Sequence, residues 1–188
     1  MSSMAGKIMI IRHAEKPGVS GGGAGIARDG TEDAESLTFR GWTRARALVS
    51  LFVPPRGHRL RAGLATPRFA YASGIGKHSN SLRPQETILP LCEKLRITAT
   101  TDYLKDEFDE MAGDALAQSG PVLICWEHRA LPAIADRILG DATTAPREWP
   151  DDRFDVVWMF DLDRASGTYQ FQQISQGLLA GDLPDPVG

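Results

Sequence analysis

Two histidines and two arginines stand at positions from which a fold could bring them to one point. Arg12 and His13 directly follow a run of four apolar residues, and Arg83 and His128 each come soon after a further apolar run. A guanidinium group can bind two phosphate oxygens at once, and an imidazole can act as a nucleophile that carries a phosphoryl group. These residue types therefore indicate phosphoryl chemistry, provided that the chain brings them together.

The apolar runs are the elements that must position these side chains. They lack helical spacing, so residues 7–12, 69–73 and 121–126 are predicted to be buried strands. Helical spacing with capping and stop residues predicts helices in 38–53, 81–95, 106–120 and 130–140. A short strand is expected near 96–98, a long loop at 17–36, and a hairpin formed by 154–162 and 168–174.

This order of elements predicts a single domain over residues 1–188 with an α/β fold. The expected architecture has three layers, α/β/α, around a mostly parallel central sheet with an antiparallel edge. Ligands of such sheets bind outside the carboxyl ends of the strands. Arg12, His13, Arg83 and His128 are therefore expected to share one pocket at that edge.

Composition argues against several other classes of protein. The net charge of −3 gives no basic field for nucleic acid, and no run reaches the ~18 apolar residues of a membrane span. Two distant cysteines without a CxxC pattern, and no leader-like apolar segment, favour a cytoplasmic protein. No HExxH metal motif, P-loop or GxSxG motif occurs, so neither a metal nor a cofactor is expected.

Four stretches of the sequence resemble motifs of the histidine phosphatase superfamily, which has the phosphoglycerate mutase-like fold. The resemblance covers roughly residues 7–140, and the stretches follow the family's order. It implies that His13 is the nucleophile that becomes phosphorylated, and that Arg12, Arg83 and His128 form the phosphate pocket. The stretches are RHAE, LTFRGWTRARAL, SLRPQET and VLICWEH.

The sequence departs from the family pattern at two places. Ala14 replaces the usual glycine, and Glu127 and Arg129 flank the second histidine. The chain is also shorter than typical phosphoglycerate mutases. The expected function is a metal-independent phosphatase that hydrolyses a phosphomonoester or a phosphohistidine, on a small molecule or a phosphoprotein. The alternatives are a mutase-like phosphotransferase and a non-catalytic protein that binds a phosphorylated ligand; the sequence leaves the oligomeric state open.

The general acid and the substrate contacts are less closely defined by the sequence. Lys77 and His78 lie in a Gly/Ser/Asn-rich loop near the expected pocket and are candidate substrate contacts. The resemblance implies an acid in the segment after the second arginine, where Glu107 is the first candidate and Asp106 the next. Glu127 is a further candidate for the general acid, although on an extended strand it would face away from its neighbour His128.

Overall fold

The computed structural model describes residues 4–19 and 22–188, in which the chain forms a mixed five-stranded sheet with four helices. The strands and helices, in chain order, are β1 Lys7–Arg12, α1 Phe39–Phe52, β2 Phe69–Ala72, α2 Arg83–Leu95, α3 Phe108–Leu116, β3 Val122–Trp126, α4 Leu131–Leu139, β4 Val156–Asp163 and β5 Thr168–Ser175.

The sheet has the strand order β2-β3-β1-β4-β5. Its first three strands are parallel, whereas β4 runs antiparallel to both β1 and β5. Arg12 at the end of β1 pairs with Trp126 at the end of β3, and Ala72 at the end of β2 pairs with Cys125. The carboxyl ends of three strands therefore meet at one edge, and the predicted α/β fold with an antiparallel edge is confirmed.

Two helices cover each face of the sheet. Because side chains alternate along a strand, Ile8 and Ile10 of β1 pack in one core with residues of α3 and α4, such as Met111 and Ile134. Met9 and Ile11 pack in the other core with residues of α1 and α2. The three-layer arrangement follows from this alternation.

Two helix ends carry the capping and stop residues that the sequence predicts. The side chain of Thr38 accepts a hydrogen bond from Gly41 N at 3.1 Å, which caps α1. Gly140 ends α4 at a φ of 76°, a left-handed conformation that glycine adopts without a steric penalty. No helix within the described ranges is both long and apolar enough to cross a membrane.

Two sequence predictions differ from the structure. Residues 96–98 do not form a strand, because Arg96 takes a left-handed conformation that ends α2, and the chain next touches the sheet only in a bridge between Thr100 and Tyr71. Helix α3 stops at Leu116 and does not continue to Gly120. The predicted loop 17–36 includes residues 20 and 21, which lie outside the described residues; its later part carries a bridge between Ile26 and Glu32.

Candidate active site

The edge formed by the carboxyl ends of β1, β2 and β3 borders a cavity of about 540 Å³. Five of the seven residues predicted for the site line it: His13, Lys77, His78, Arg83 and His128. Arg12 and Glu107 do not line it. Side chains that are more than 100 residues apart in the sequence are thus brought together by strand direction alone.

His13 is held as a neutral imidazole with a defined tautomer. Its side chain is buried, and Nδ1 lies 2.8 Å from the carbonyl oxygen of Ala14. A carbonyl oxygen can only accept, so Nδ1 carries the proton and Nε2 carries the lone pair. Burial, followed by the charge of Arg12, holds the pKa of His13 well below its usual value. Nε2 therefore carries an unprotonated lone pair at neutral pH.

The main chain around His13 is fixed on two sides. His13 N donates to Trp126 O at 3.1 Å, which continues the β1–β3 ladder by one residue. Ala14 N donates to Thr87 Oγ1 of α2 at 2.8 Å. Helix α1 also approaches closely, since a Cβ at Gly41 would lie 2.5 Å from Glu15 O. These contacts hold the imidazole at the rim of the sheet.

Glu15 anchors the same segment through a buried ion-pair network. Arg44 of α1 donates to both carboxylate oxygens of Glu15 and also binds Asp182 of the C-terminal segment. All three side chains are at most 5% exposed. Removing one partner of a buried pair leaves an uncompensated charge, so the network holds the end of β1 against α1 and the C-terminal segment.

Arg12 lies next to the cavity without lining it. Its Nη1 donates to the carbonyl oxygens of Pro150, Asp151 and Arg153, and its guanidinium carbon lies 4.1 Å from the ring centre of Phe154. Nε and Nη2 are buried and have no hydrogen-bond partner among the described residues. Burial lowers the pKa of Arg12 to about 10, so the group remains charged at neutral pH. Buried donors without a partner are rare in folded proteins, so these two nitrogens are unusual features of the site.

His128 is tied to the segment that also binds Arg12. Its Nε2 lies 2.5 Å from Oδ1 of Asp151, a residue whose side chain is otherwise largely exposed. Its Nδ1 is buried without a hydrogen-bond partner among the described residues. Burial, and next the charge of Arg12, lowers the pKa of His128 to about 4, while Asp151 opposes this shift. The segment 150–153 therefore orients both Arg12 and His128.

Arg83 is oriented by the loop that follows β1. Its Nη2 donates to Ala34 O at 2.5 Å, Nε donates to Ser36 O at 3.4 Å, and Glu35 lies 3.6 Å away. Glu86 of α2 fastens the same loop by accepting from Ser36 Oγ. A guanidinium has five N–H groups, so these contacts leave N–H groups of Arg83 for a ligand in the cavity.

The candidate acids differ in position. Glu107 is exposed, and its Oε2 accepts from Leu104 N at 2.7 Å, outside the cavity lining. Glu127 is half-buried and lines the cavity together with His128. Because β3 ends at Trp126, Glu127 and His128 lie in the irregular segment beyond it, and the alternation of an extended strand does not set the direction of Glu127. The geometry favours Glu127 over Glu107.

Solved structures with the same arrangement of strands and helices are phosphatases by their names. A protein assigned as the phosphohistidine phosphatase SixA of Agrobacterium tumefaciens has a TM-score of 0.53 at 14% identity, over 90% of this chain and 98% of that one. The mycobacterial glucosyl-3-phosphoglycerate phosphatase, in complex with VO3, has a TM-score of 0.52 at 10% identity, over 90% and 97%. The chain shares the α/β fold of these structures, the phosphoglycerate mutase-like fold.

A third structure extends the same likeness. The α-ribazole phosphatase of Shigella flexneri has a TM-score of 0.50 at 12% identity, over 87% of this chain and 94% of that one. No protein-family model matches the sequence, and no curated protein matches it either. At these identities the comparison establishes the fold alone, and the shared fold spans most of the chain.

Sequence reasoning missed several residues around the cavity. Lys16 and Arg129 line it, and their places just after His13 and His128 were a signal that could have found them. Lys105 also lines it, and Asp151 binds His128, but both come from segments whose position no motif fixes. Across residues 4–19 and 22–188, no cluster of three or more potential metal ligands occurs.

The two buried histidines predict a loss of stability in acid. In the folded state the pKa of His13 lies well below 6.5 and that of His128 is about 4, so below pH 6.5 the unfolded chain binds more protons. The free energy of unfolding should fall by up to about 1.4 kcal/mol per pH unit for each histidine as the pH drops below about 6.5.

Urea unfolding at about pH 7 and about pH 5.5 measures this loss. A variant with His13→Asn and His128→Asn should lose much less stability over the same interval. Equal losses in the variant and the wild type would mean that other groups control the acid transition.

Proposed function

We propose that this chain is a phosphatase that hydrolyses a phosphate ester or a phosphohistidine through a phosphohistidine intermediate on His13. The observation that carries the proposal is the state of His13, which is buried, neutral and proton-bearing at Nδ1. Its free nucleophilic nitrogen shares a cavity with Arg83 and His128. The fold shared with named phosphatases supports the same conclusion.

In the first step Nε2 of His13 attacks phosphorus, and the bond from phosphorus to the leaving oxygen breaks. Arg83 binds the non-bridging oxygens, on which negative charge is concentrated. His128 joins it when the negative charge of the bound phosphoryl group brings a proton to Nδ1, because its Nε2 is already occupied by Asp151. Arg12 adds positive charge from behind the two imidazoles. Its Nε and Nη2, which are buried and have no hydrogen-bond partner among the described residues, are the donors that we assign to a phosphoryl oxygen of the bound substrate.

Proton transfer completes both steps. The leaving oxygen takes a proton from Glu127, and a water then attacks the phosphorus of phosphohistidine while Glu127 accepts a proton from that water. Cleavage of the phosphorus–nitrogen bond releases phosphate and regenerates neutral His13. Charged side chains supply the electrostatic stabilisation in this scheme, and no step calls on a metal ion.

Turnover of nitrophenyl phosphate tests the proposal. Activity should persist in excess EDTA, and vanadate should inhibit by binding in the phosphoryl position. The mycobacterial phosphatase with a similar fold is itself known in complex with VO3. Activity lost in EDTA and restored by a divalent cation would overturn the metal-independent scheme. Vanadate binding without turnover of any phosphate ester or phosphohistidine would instead indicate a protein that only binds phosphorylated ligands.

Glu127→Gln should slow substrates according to their leaving groups. An alkyl phosphate, whose leaving oxygen needs a proton, should lose about 10²- to 10⁴-fold in kcat/KM, the usual contribution of general acid catalysis. Nitrophenyl phosphate should lose far less in the phosphorylation step, because its leaving group departs without a proton. Single-turnover rates of phosphoenzyme formation with both substrates measure the difference.

Glu107→Gln is the matched control for this experiment. Both carboxyl groups belong to glutamates, but Glu107 binds the main chain at Leu104 outside the cavity lining. A leaving-group dependence confined to Glu107→Gln would restore Glu107 as the acid. No dependence in either variant would remove both residues from this role.

A further inference from the structure

Four basic side chains line the cavity without a part in the proposed proton and phosphoryl transfers. They come from the segments after β1, between β2 and α2, before α3 and after β3. These residues are Lys16, Lys77, Lys105 and Arg129. None of them forms an ion pair with a carboxylate within the described part of the chain.

The charge of the cavity is opposite to that of the whole protein. Five lysines and arginines line it against two glutamates, Glu35 and Glu127, whereas the chain carries a net charge of −3. Glu35 is already close to Arg83. Burial, and next the charge of Arg12, lowers the pKa of Lys16, while Asp151 opposes this shift.

Lys77 and Lys105 lie on two segments that are fastened to each other. Gly74 N donates to Tyr103 O at 2.6 Å. Lys77 follows Gly74 in one segment, and Lys105 follows Tyr103 in the other. A Cβ at Gly76 would lie 2.7 Å from Cδ2 of Leu104, so these neighbouring residues are in direct contact. Lys16 and Arg129 stand close in sequence to the phosphoryl-binding histidines, whereas Lys77 and Lys105 belong to this separate part of the wall.

The cavity has room for more than a phosphoryl group. Its volume of about 540 Å³ lies within the range of about 300–1,000 Å³ that accommodates a whole small-molecule ligand. The part of a substrate that extends beyond His13, Arg83 and His128 therefore meets unpaired lysines.

We propose that Lys77 and Lys105 form a second anion subsite, and that the substrate is a small phosphate ester with a second anionic group, either phosphate or carboxylate. The inference rests on the proposed function, because it takes His13 as the position of the transferred phosphoryl group. The second group neutralises two lysines that the protein leaves unpaired, and it orients the ester oxygen for departure.

Competition with nitrophenyl phosphate tests the subsite. The three competitors are ethyl phosphate, phosphoglycolate and ethylene glycol bisphosphate, which share a two-carbon body and differ at the far end. Phosphoglycolate and ethylene glycol bisphosphate, which each carry two anionic groups, should bind the wild type about tenfold or more tighter than ethyl phosphate. This is the effect of a charge-assisted hydrogen bond. Tighter binding of phosphoglycolate or of the bisphosphate then identifies the second group as carboxylate or phosphate.

The variant with Lys77→Ala and Lys105→Ala should reduce this preference to within about threefold. Its matched control is Arg56→Ala with Lys94→Ala, which removes the same charge from two exposed residues outside the cavity. The control should keep the wild-type preference. Equal binding of all three compounds by the wild type, or an unchanged preference in the lysine variant, would overturn the subsite.

Two further outcomes separate this inference from the proposed function. If neither a phosphate ester nor a phosphohistidine is hydrolysed, the proposed function fails, and calorimetric binding of the same three compounds still decides whether the subsite exists. The second outcome uses a phosphohistidine peptide that has no second anionic group. If its kcat/KM exceeds those of phosphoglycolate and ethylene glycol bisphosphate, the proposed function stands and the small-molecule inference fails.

Discussion

His13→Ala should reduce phosphatase turnover by roughly 10⁴- to 10⁶-fold, the loss seen when a nucleophile or its partner is removed from other enzymes. The reason is that the variant removes Nε2, the only atom to which the proposed mechanism transfers the phosphoryl group. Arg83, His128 and the lysines of the cavity stay in place, so vanadate should still bind. Turnover of nitrophenyl phosphate and calorimetric binding of vanadate measure the two properties separately.

His58→Ala is the matched control, because His58 is exposed and lies outside the cavity lining. It should retain wild-type turnover. Activity of His13→Ala within about tenfold of the wild type would exclude His13 as the nucleophile. Equal losses in both variants would indicate a general effect of removing a histidine.

Arg12→Met should lower kcat/KM by about 10²- to 10³-fold, or about 2.7–4 kcal/mol, as expected for the loss of one preorganised donor to a developing negative charge. The side chain is 1% exposed and its charge reaches His13, Lys16 and His128, whose pKa values it lowers. Removing that charge should also raise the pKa of His13, so that the acid limb of kcat/KM moves to higher pH. Steady-state kinetics as a function of pH measure both effects.

Arg12→Lys separates charge from hydrogen bonding. It keeps the positive charge but cannot reach the carbonyl oxygens of Pro150, Asp151 and Arg153 with the same planar group. Its kcat/KM should lie between those of Arg12→Met and the wild type, with the acid limb close to its wild-type position. Far-UV circular dichroism establishes that each variant is folded, and Arg56→Ala serves as the exposed control. Wild-type kinetics in folded Arg12→Met would remove Arg12 from the mechanism.

The sheet and the meeting of the main site residues were predictable because they depend on local signals. Four apolar residues before Arg12 define a buried strand. The run before His128 defines the parallel strand that pairs with it, and the run before Arg83 defines the next parallel strand of the sheet. The rule that strand ends share an edge then places His13, Arg83 and His128 together. No long-range detail of packing is needed for this part of the site.

Other parts of the site depend on contacts that no local pattern encodes. Asp151 binds His128 from a segment before β4, and Lys105 reaches the cavity from an irregular segment before α3. The predicted direction of the Glu127 side chain depended on where β3 ends. The ends of strands are the least certain part of a prediction from sequence. Glu107 had only its distance along the chain in its favour, and its side chain binds the main chain at Leu104 instead.

The most direct test of the proposed mechanism is to trap the phosphoenzyme. Rapid acid-free quenching after mixing the wild-type protein with an aryl phosphate, followed by peptide mass spectrometry, locates the phosphoryl group. The mechanism predicts phosphate on His13, in a bond that is labile in acid and stable in base, and none in His13→Ala. Phosphate on another residue, or continued turnover with no phosphoenzyme at any time, would contradict nucleophilic catalysis by His13.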